Sequence, residues 1–413
     1  MVSLDQETTI HKKMVVALIC HFSNNEIQNI IQPWKIIPEF APWIPQLLKI
    51  FENNNDVELH VISPHKFIYK DKSFQLRNIN YYFFNAHIPF WGRHWPGFFK
   101  LDFWSDFLLN KFKVYYRIKR IKPNIIHLFG IENAYYSSSI LQFKEKYPIA
   151  ITIQGFNLMT YESINYQLKK SIKIESKILT TFNSYITNTE TVGHDISTYN
   201  KNAKIYQTNF PIKFPQSLNV KKKFDLVFFA RVCKNKGIED LLKAVSIIKK
   251  EYSDISLCVI GGGKMDEWIT LANELNISNN VKWIGFLPTQ NDVHQMASEA
   301  RISVLPTYHD IISGTIIESL FLKIPVVAYN VGSIHEINKK EVIVTLVEKF
   351  DISGLAKSIL MLLNNPKLCQ EIGELGYIRA NEMFNPGNNK IKIDILKAYT
   401  DIINDFQNSS QKK

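Results

Sequence analysis

Two carboxylates, Asp310 and Glu318, stand eight positions apart on either side of a Ser313-Gly314-Thr315 turn. A short apolar run, Ile302 to Leu305, stops at Pro306, and the chain then passes through this polar loop into a helix-like segment. A strand, a tight glycine-containing turn and a helix form a site at which free backbone N–H groups can meet an anion. Carboxylates accept hydrogen bonds from sugar hydroxyls. Together these groups suit a nucleotide sugar. Upstream, Arg231 directly follows a second apolar run, Leu226 to Ala230, and Lys236-Gly237 opens the next helical pattern. Cations there, beside a helix N-terminus, would stabilise a pyrophosphate and the charge it gains on leaving.

Each of these residues also has a structural reading. Thr315-Ile-Ile-Glu318 has the spacing of a capping box, in which Glu318 would fold back on the helix start. Asp310 could be a turn residue, His309 an ordinary loop histidine, and Lys236 a solvated loop cation. Gly261-Gly262-Gly263 lacks the full dinucleotide fingerprint. His, Cys and carboxylates nowhere cluster at metal-ligand spacing, so no metal is expected.

Strands alternating with helices must position these groups. Met14–Ile19, Val57–Ile62, Ile125–Phe129 and Ile149–Ile153 read as strands, with a helix over Pro42–Phe51; Gly130 and Gly155 sit at the turns that follow the last two strands. In the second half the strands are Leu226–Ala230, Leu257–Ile260, Val281–Ile284, Ile302–Leu305 and Val326–Tyr329. Helical spacing runs onward from Gly237, with Ile238, Leu241, Leu242, Val245 and Ile248, and again over Ile352–Leu363. This alternation predicts an α/β protein with parallel sheets and ligands beyond the carboxyl ends of the strands. Pro211, Pro215 and a lysine run mark residues 209–223 as an interdomain linker, and the polar tail Asn408–Lys413 is expected to fray.

The bulk properties bound the function. At 413 residues two domains are expected, and 46% apolar with 21% charged residues is a globular composition. Cys20, Cys233, Cys258 and Cys369 are far apart and read as reduced core thiols of a cytoplasmic protein. No run suits a signal h-region or a membrane span. The net charge of +11 fits a phosphorylated substrate or an anionic membrane surface. Its cations are scattered and no nucleic-acid motif is present, so no nucleic-acid partner is expected. Residues 87–122 interleave Trp91, Trp95, Trp104, Phe107 and other aromatics with Lys111, Lys113, Arg117, Lys119, Arg120 and Lys122. That segment reads either as a membrane interface or as an aromatic core insertion followed by a basic helix.

Phe229-Ala-Arg231-Val-Cys-Lys-Asn-Lys236-Gly237, Val-Ile-Gly-Gly-Gly263, Val-Lys-Trp-Ile-Gly285, Leu-Pro306, Asp310-x7-Glu318 and Gly332-Ser-Ile-His-Glu336 follow in order and spacing. This ordered set resembles the family 4 retaining glycosyltransferases. The resemblance covers the second half well; Pro123-Asn-Ile-Ile-His127 and Ile-Thr-Ile-Gln-Gly155 carry it loosely through the first half. It implies the GT-B fold, two Rossmann-like domains facing across a cleft. Residues 1–215 would form an acceptor-side domain, 216–388 the nucleotide-sugar domain, and 389–413 a last helix crossing back to the first. Arg231 and Lys236 would hold the donor diphosphate, Glu318 the ribose hydroxyls, and Asp310 would face the sugar. Ser313, Gly314, Thr315, Gly285, Phe286, Gln154 and Gly155 would complete the donor contacts.

The implied reaction moves a sugar from a UDP- or GDP-linked donor to an acceptor hydroxyl of a glycan or lipid-linked glycan. It proceeds with anomeric retention and without a metal or other cofactor. The expected place is the cytoplasm or the inner face of the cytoplasmic membrane. A catalytically silent partner subunit and a nucleotide-sugar epimerase are the alternatives. The sequence departs from the family at four points: Asp310 for Glu, Gln154 for His, His21-Phe-Ser-Asn-Asn25 for a glycine-rich loop, and Lys323 for a small residue that ends the Glu318 helix.

Overall fold

The computed structural model of the chain describes residues 13–31, 41, 43–52, 54–65, 68, 70–86, 104–156, 166–213, 215 and 220–411. It divides into two units: Met1–Thr187, Gly193–Thr208 and Asn389–Lys413 make the first, and Asn188–Val192 with Asn209–Asn388 the second. Among the aromatic and basic positions singled out above, those from 87 to 103 lie outside the described residues, as do several of the linker positions.

The first unit is an eight-stranded sheet in the order β3-β4-β2-β1-β5-β6-β7-β8. Its strands are β1 Met14–Ile19, β2 Val57–His65, β3 Lys72–Leu76, β4 Ile79–Asn85, β5 Ile125–Phe129, β6 Ile149–Thr152, β7 Ser184–Thr187 and β8 Lys204–Gln207. All pairings are parallel except β3 with β4. Strands β1 and β5 are almost wholly buried, which is why they read as continuous apolar runs rather than alternating ones. The final helix, Asn389–Gln411, packs in this unit. Its Tyr399 hydroxyl meets His127 Nδ1 at 2.7 Å, and Thr152 Oγ1 meets His127 Nε2 at 2.8 Å. The tail expected to fray is helical through Gln411, where Ser409 and Ser410 hydroxyls donate to carbonyls one turn back.

The second unit is a six-stranded parallel sheet in the order β11-β10-β9-β12-β13-β14. Its strands are β9 Phe224–Phe229, β10 Leu257–Ile260, β11 Val281–Gly285, β12 Ala300–Leu305, β13 Val326–Tyr329 and β14 Val344–Val347. One core joins the strands to the Ile238–Ile248 helix through Leu241, Leu242, Val245 and Ile248, all buried. The Ile352–Leu363 helix closes the same face through Leu355, Ile359 and Leu362. Cys20 and Cys258 are core thiols, whereas Cys233 and Cys369 are only half-buried; all four are free.

Candidate active site

In the second sheet the chain runs β9-β10-β11 outward on one side, then returns to place β12 on the other side of β9. The loops after β9 and β12 therefore lie side by side at the carboxyl edge, the place where open α/β sheets bind ligands. Arg231 leaves the end of β9, exposed and with no ion pair among the described residues. A single 3-10 turn, Lys234–Lys236, ends at Gly237, whose φ of 79° leads into the Ile238–Ile248 helix. Glycine is required here on two counts. The backbone is left-handed, and a Cβ would lie 1.9 Å from the Pro306 carbonyl oxygen. The turn after β9 is thus pressed directly onto the loop after β12. Tyr308 N–H donates to Asn235 O at 2.9 Å, and the Thr307 hydroxyl donates to the same oxygen at 3.3 Å.

This contact brings Lys236 and Asp310 together, with Nζ to Oδ2 at 2.5 Å. The two side chains implied to have separate roles form one ion pair, each about one-fifth exposed. Asp310 fixes the ammonium at a defined point while leaving donor capacity on the nitrogen for a phosphate oxygen. The loop is held from behind. The Tyr308 ring stacks on Tyr329 at 6.4 Å and meets Phe350 edge-on at 4.8 Å. Burial, followed by the nearby Asp240 carboxylate, raises the Tyr308 hydroxyl above its ordinary range. From the other side Gly332 closes on the loop: a Cβ there would sit 1.7 Å from Asp310 O, and Ser333 N–H donates to Ile311 O at 2.9 Å.

The Gly314–Phe321 helix begins with Ser313 at its N-cap, two residues earlier than a Thr315 cap would require. The Thr315 hydroxyl donates to Phe229 O at 2.8 Å, tying the helix start to the end of β9. Glu318 does not fold back. Its Oε1 accepts from Gln290 Nε2 at 2.6 Å, and its Oε2 lies 3.2 Å from His294 Nε2, off the line of a hydrogen bond. The capping-box reading of Glu318 is therefore set aside. Ser313, Gly314 and Thr315 have backbone N–H groups with no acceptor among the described residues, as the first turn of a helix leaves them. Gln290 and His294, one turn apart on the Gln290–Ser298 helix, escaped the sequence reading. Their i, i+4 spacing was the available signal, and nothing tied it to Glu318, 28 residues away in the case of Gln290.

Gly261 and Gly263 let β10 run on against β9. Their φ values are 144° and 156°, and a Cβ would lie 1.9 Å from Ala230 O and 2.2 Å from Val232 O respectively. They serve close backbone approach. Gly285, at the end of β11, accepts from Gly261 N–H at 2.8 Å, and Phe286 next to it is 66% exposed. Glu336 of the Gly332-Ser-Ile-His-Glu336 motif is engaged elsewhere. It accepts from the N–H groups of Glu190 and Thr191 at 2.8 and 2.7 Å, and from the Thr191 hydroxyl at 2.6 Å. Burial works to raise its pKa, but these hydrogen bonds and Lys339 outweigh it and hold the carboxyl below its ordinary range.

Gln154 and Gly155 belong to the first unit, just past β6, where Gln154 is half-buried and a Cβ on Gly155 would meet nothing within 4 Å. In that sheet the order reverses between β1 and β5. The loops there carry His21, whose Nδ1 is hydrogen-bonded to the Tyr135 hydroxyl, and Glu132, whose carboxyl burial pushes up to about 7. Lys323 adopts φ 58°, the left-handed conformation expected of the small residue it replaces. Ile324 N–H donates to Ser319 O at 2.9 Å to close the helix, and Lys323 Nζ pairs with Glu374 at 2.8 Å. Among the described residues no group of three or more His, Cys, Asp or Glu side chains is placed to hold a metal ion.

Residues 209–379 match the family model described as glycosyl transferases group 1. That stretch lies within the second unit, which is thus similar to a group 1 glycosyl transferase domain. CapM of Staphylococcus aureus, a capsular polysaccharide biosynthesis glycosyltransferase, is 26% identical over 286 residues, 64% of this chain and 73% of CapM. EpsD of Bacillus subtilis is 26% identical over 180 residues, 43% of this chain and 46% of EpsD. The chain thus spans about half the length of EpsD, and 39% of an uncharacterized Haemophilus influenzae glycosyltransferase that is 28% identical to it. Sucrose-phosphate synthase from Thermosynechococcus elongatus superposes with a TM-score of 0.73 at 16% identity, covering 94% of this chain and 99% of that one. Anabaena HepE in complex with UDP gives 0.64 at 14% identity, covering 94% and 100%. With these neighbours, the two parallel-sheet α/β units have the GT-B fold.

Proposed function

We propose that this chain is a retaining glycosyltransferase of family 4 that passes a sugar from a UDP- or GDP-linked donor to a hydroxyl of a growing polysaccharide or lipid-linked glycan. The observation that carries this reading is the convergence at the carboxyl edge of the second sheet. There the Lys236–Asp310 pair, exposed Arg231 and the open N–H groups of the Gly314–Phe321 helix lie on the adjoining β9 and β12 loops, with Glu318 one turn along.

In this reading Arg231, Lys236 and the helix N-terminus take the diphosphate, and fixed positive charge stabilises it as it leaves. Glu318, oriented by Gln290 and His294, uses its remaining lone pairs for the ribose hydroxyls. Asp310 holds Lys236 and faces the sugar; Gly285, Phe286, Gln154 and Gly155 are assigned to the donor as well. Asp310 is a methylene shorter than the Glu usual in the family, so it is the candidate determinant of which sugar is accepted. The first unit takes the acceptor. CapM supports the polysaccharide setting, and HepE, solved with UDP, supports the nucleotide. The proposed place of work is the inner face of the cytoplasmic membrane.

A panel of nucleotide sugars tested for protection against thermal unfolding identifies the donor, since a ligand bound to the folded state raises apparent stability. Product analysis with that donor then decides the reaction. Transfer to an added acceptor with the anomeric configuration kept supports the proposal. Conversion of the donor without acceptor would identify an epimerase, and protection without any turnover a silent partner subunit.

A further inference from the structure

The Leu108–Ile121 helix has one face in the core, through Asn110, Val114 and Ile118. Its opposite face is apolar too. Leu108, Phe112 and Tyr116 follow one another at single-turn spacing, continuing from Trp104 just before the helix, and they are 65, 63, 47 and, for Trp104, 64% exposed. A row of large rings and leucine left in water is a surface that calls for a partner.

Charge says which partner. The helix carries Lys111, Lys113, Arg117, Lys119 and Arg120, with Lys122 at its C-cap, and no acid. Of the acids bordering it, Asp71 pairs with Lys113 at 2.9 Å and Asp106 with Lys170 at 2.5 Å, while Glu58, beside Arg117 and Arg120, is bonded to His60 at 2.9 Å. The Tyr166–Thr181 helix adds Lys173, within electrostatic reach of Asp106, and Lys177, within reach of Lys111. Lys119, Arg120 and Lys122 are exposed at the end of the apolar row. Arg120 lies over the Tyr116 ring at 5.1 Å and Lys119 over Tyr115 at 5.5 Å. Cations held against aromatic stems, beside unpartnered rings, match a bilayer interface where rings sit at headgroup depth and cations meet lipid phosphates. No described helix is long and apolar enough to cross a membrane, so contact here would be with the surface.

We propose that the exposed face of the Leu108–Ile121 helix docks this chain on an anionic lipid bilayer. Trp104, Leu108, Phe112 and Tyr116 enter the headgroup layer, and the flanking lysines and arginines bind lipid phosphate. This gives the membrane setting proposed above a specific surface, and it stands or falls apart from the donor site.

The test is co-sedimentation of the full chain with vesicles of phosphatidylcholine alone and of equal parts phosphatidylcholine and phosphatidylglycerol. The chain is expected to pellet with the anionic vesicles and to be released by molar salt, which screens such contacts. Each surface cation near an anionic bilayer contributes about a fivefold change in partitioning, so Lys119→Glu with Arg120→Glu lowers it by about 25-fold or more. Phe112→Ser lowers it about tenfold through lost apolar burial. Both variants change exposed side chains, and thermal melting confirms that they fold. Failure to pellet, equal pelleting with neutral vesicles, or self-association abolished by Phe112→Ser in the absence of vesicle binding would each overturn the proposal. Nucleotide protection measured on the same samples keeps this outcome distinct from any failure of the transferase reading.

Discussion

Replacing Gly237 with alanine tests the geometry on which the candidate site depends. At φ 79° an L-residue costs about 1–2 kcal/mol, offset by roughly 0.4–1 kcal/mol because alanine loses less freedom on folding. The larger effect is steric. The new Cβ would lie 1.9 Å from Pro306 O, where real Cβ contacts essentially never fall under 3.0 Å, so the two backbones must separate by about 1.1 Å. Overpacking of this kind costs about 1–3 kcal/mol. The net destabilisation is about 3 kcal/mol. For the second unit, Asn188–Val192 with Asn209–Asn388, it lowers the melting temperature by about 8 °C. The same displacement pulls Asp310 from Lys236, and an error of an ångström at reacting groups costs about 100-fold in rate. Differential scanning calorimetry and a transfer assay read the two effects separately. Gly155→Ala, with open space around its Cβ and no positive φ, is the control and leaves the melting temperature unchanged within about 2 °C. A Gly237→Ala protein that melts with the wild type and keeps its rate would refute the close contact between the β9 and β12 loops.

Two carboxyls make opposite predictions with pH. The Glu336 carboxyl is held below its ordinary value, so its contribution is present above about pH 4.5 and is lost as pH falls through the folded value. Denaturant titrations should show Glu336→Gln weaker than wild type by about 1–3 kcal/mol at pH 7, with the gap closing in acid; a gap independent of pH would contradict the hydrogen bonds to Glu190 and Thr191. The Glu132 carboxyl is raised to about 7 by burial, so ionising it costs stability as pH climbs from about 4.5 through 7. Glu132→Gln should therefore match wild type at pH 4 and exceed it at pH 8 by of order 2–3 kcal/mol, and equal stability at pH 8 would place Glu132 in water. Gln290→Ala frees one oxygen of Glu318 from its partner, and it should weaken nucleotide protection about fivefold while leaving the melting temperature of the free protein within a few degrees; unchanged protection would separate Gln290 from the site.

Most of the second sheet was legible because its central strands are buried and punctuated by glycine and proline, whereas the half-buried Val344–Val347 strand was not read. Leu257–Ile260 and Val326–Tyr329 were read with the boundaries the structure gives them. The first sheet was less legible at its edges. Strands β3 and β4 are joined by Arg77-Asn78, both at positive φ, a two-residue hairpin turn without the Asn-Gly signal that would announce it. Strand β8 is short and partly exposed, so no apolar run marks it. In the site, the order of Arg231, Lys236, Asp310 and Glu318 was visible, but the Lys236–Asp310 ion pair was not. It depends on Gly237 packing against Pro306, a contact between residues 69 positions apart. The capping-box spacing misled for a related reason: the Thr315 hydroxyl finds Phe229 O on a neighbouring strand, which no local pattern records.

Calorimetric titration of UDP and GDP into wild type, Arg231→Ala and Glu318→Ala measures directly whether a nucleoside diphosphate binds at the carboxyl edge of the second sheet. Saturable binding of one nucleotide is predicted, weakened about 10- to 150-fold in each variant by loss of a charge-assisted hydrogen bond. Absence of binding to the wild type, or wild-type affinity in both variants, would contradict it.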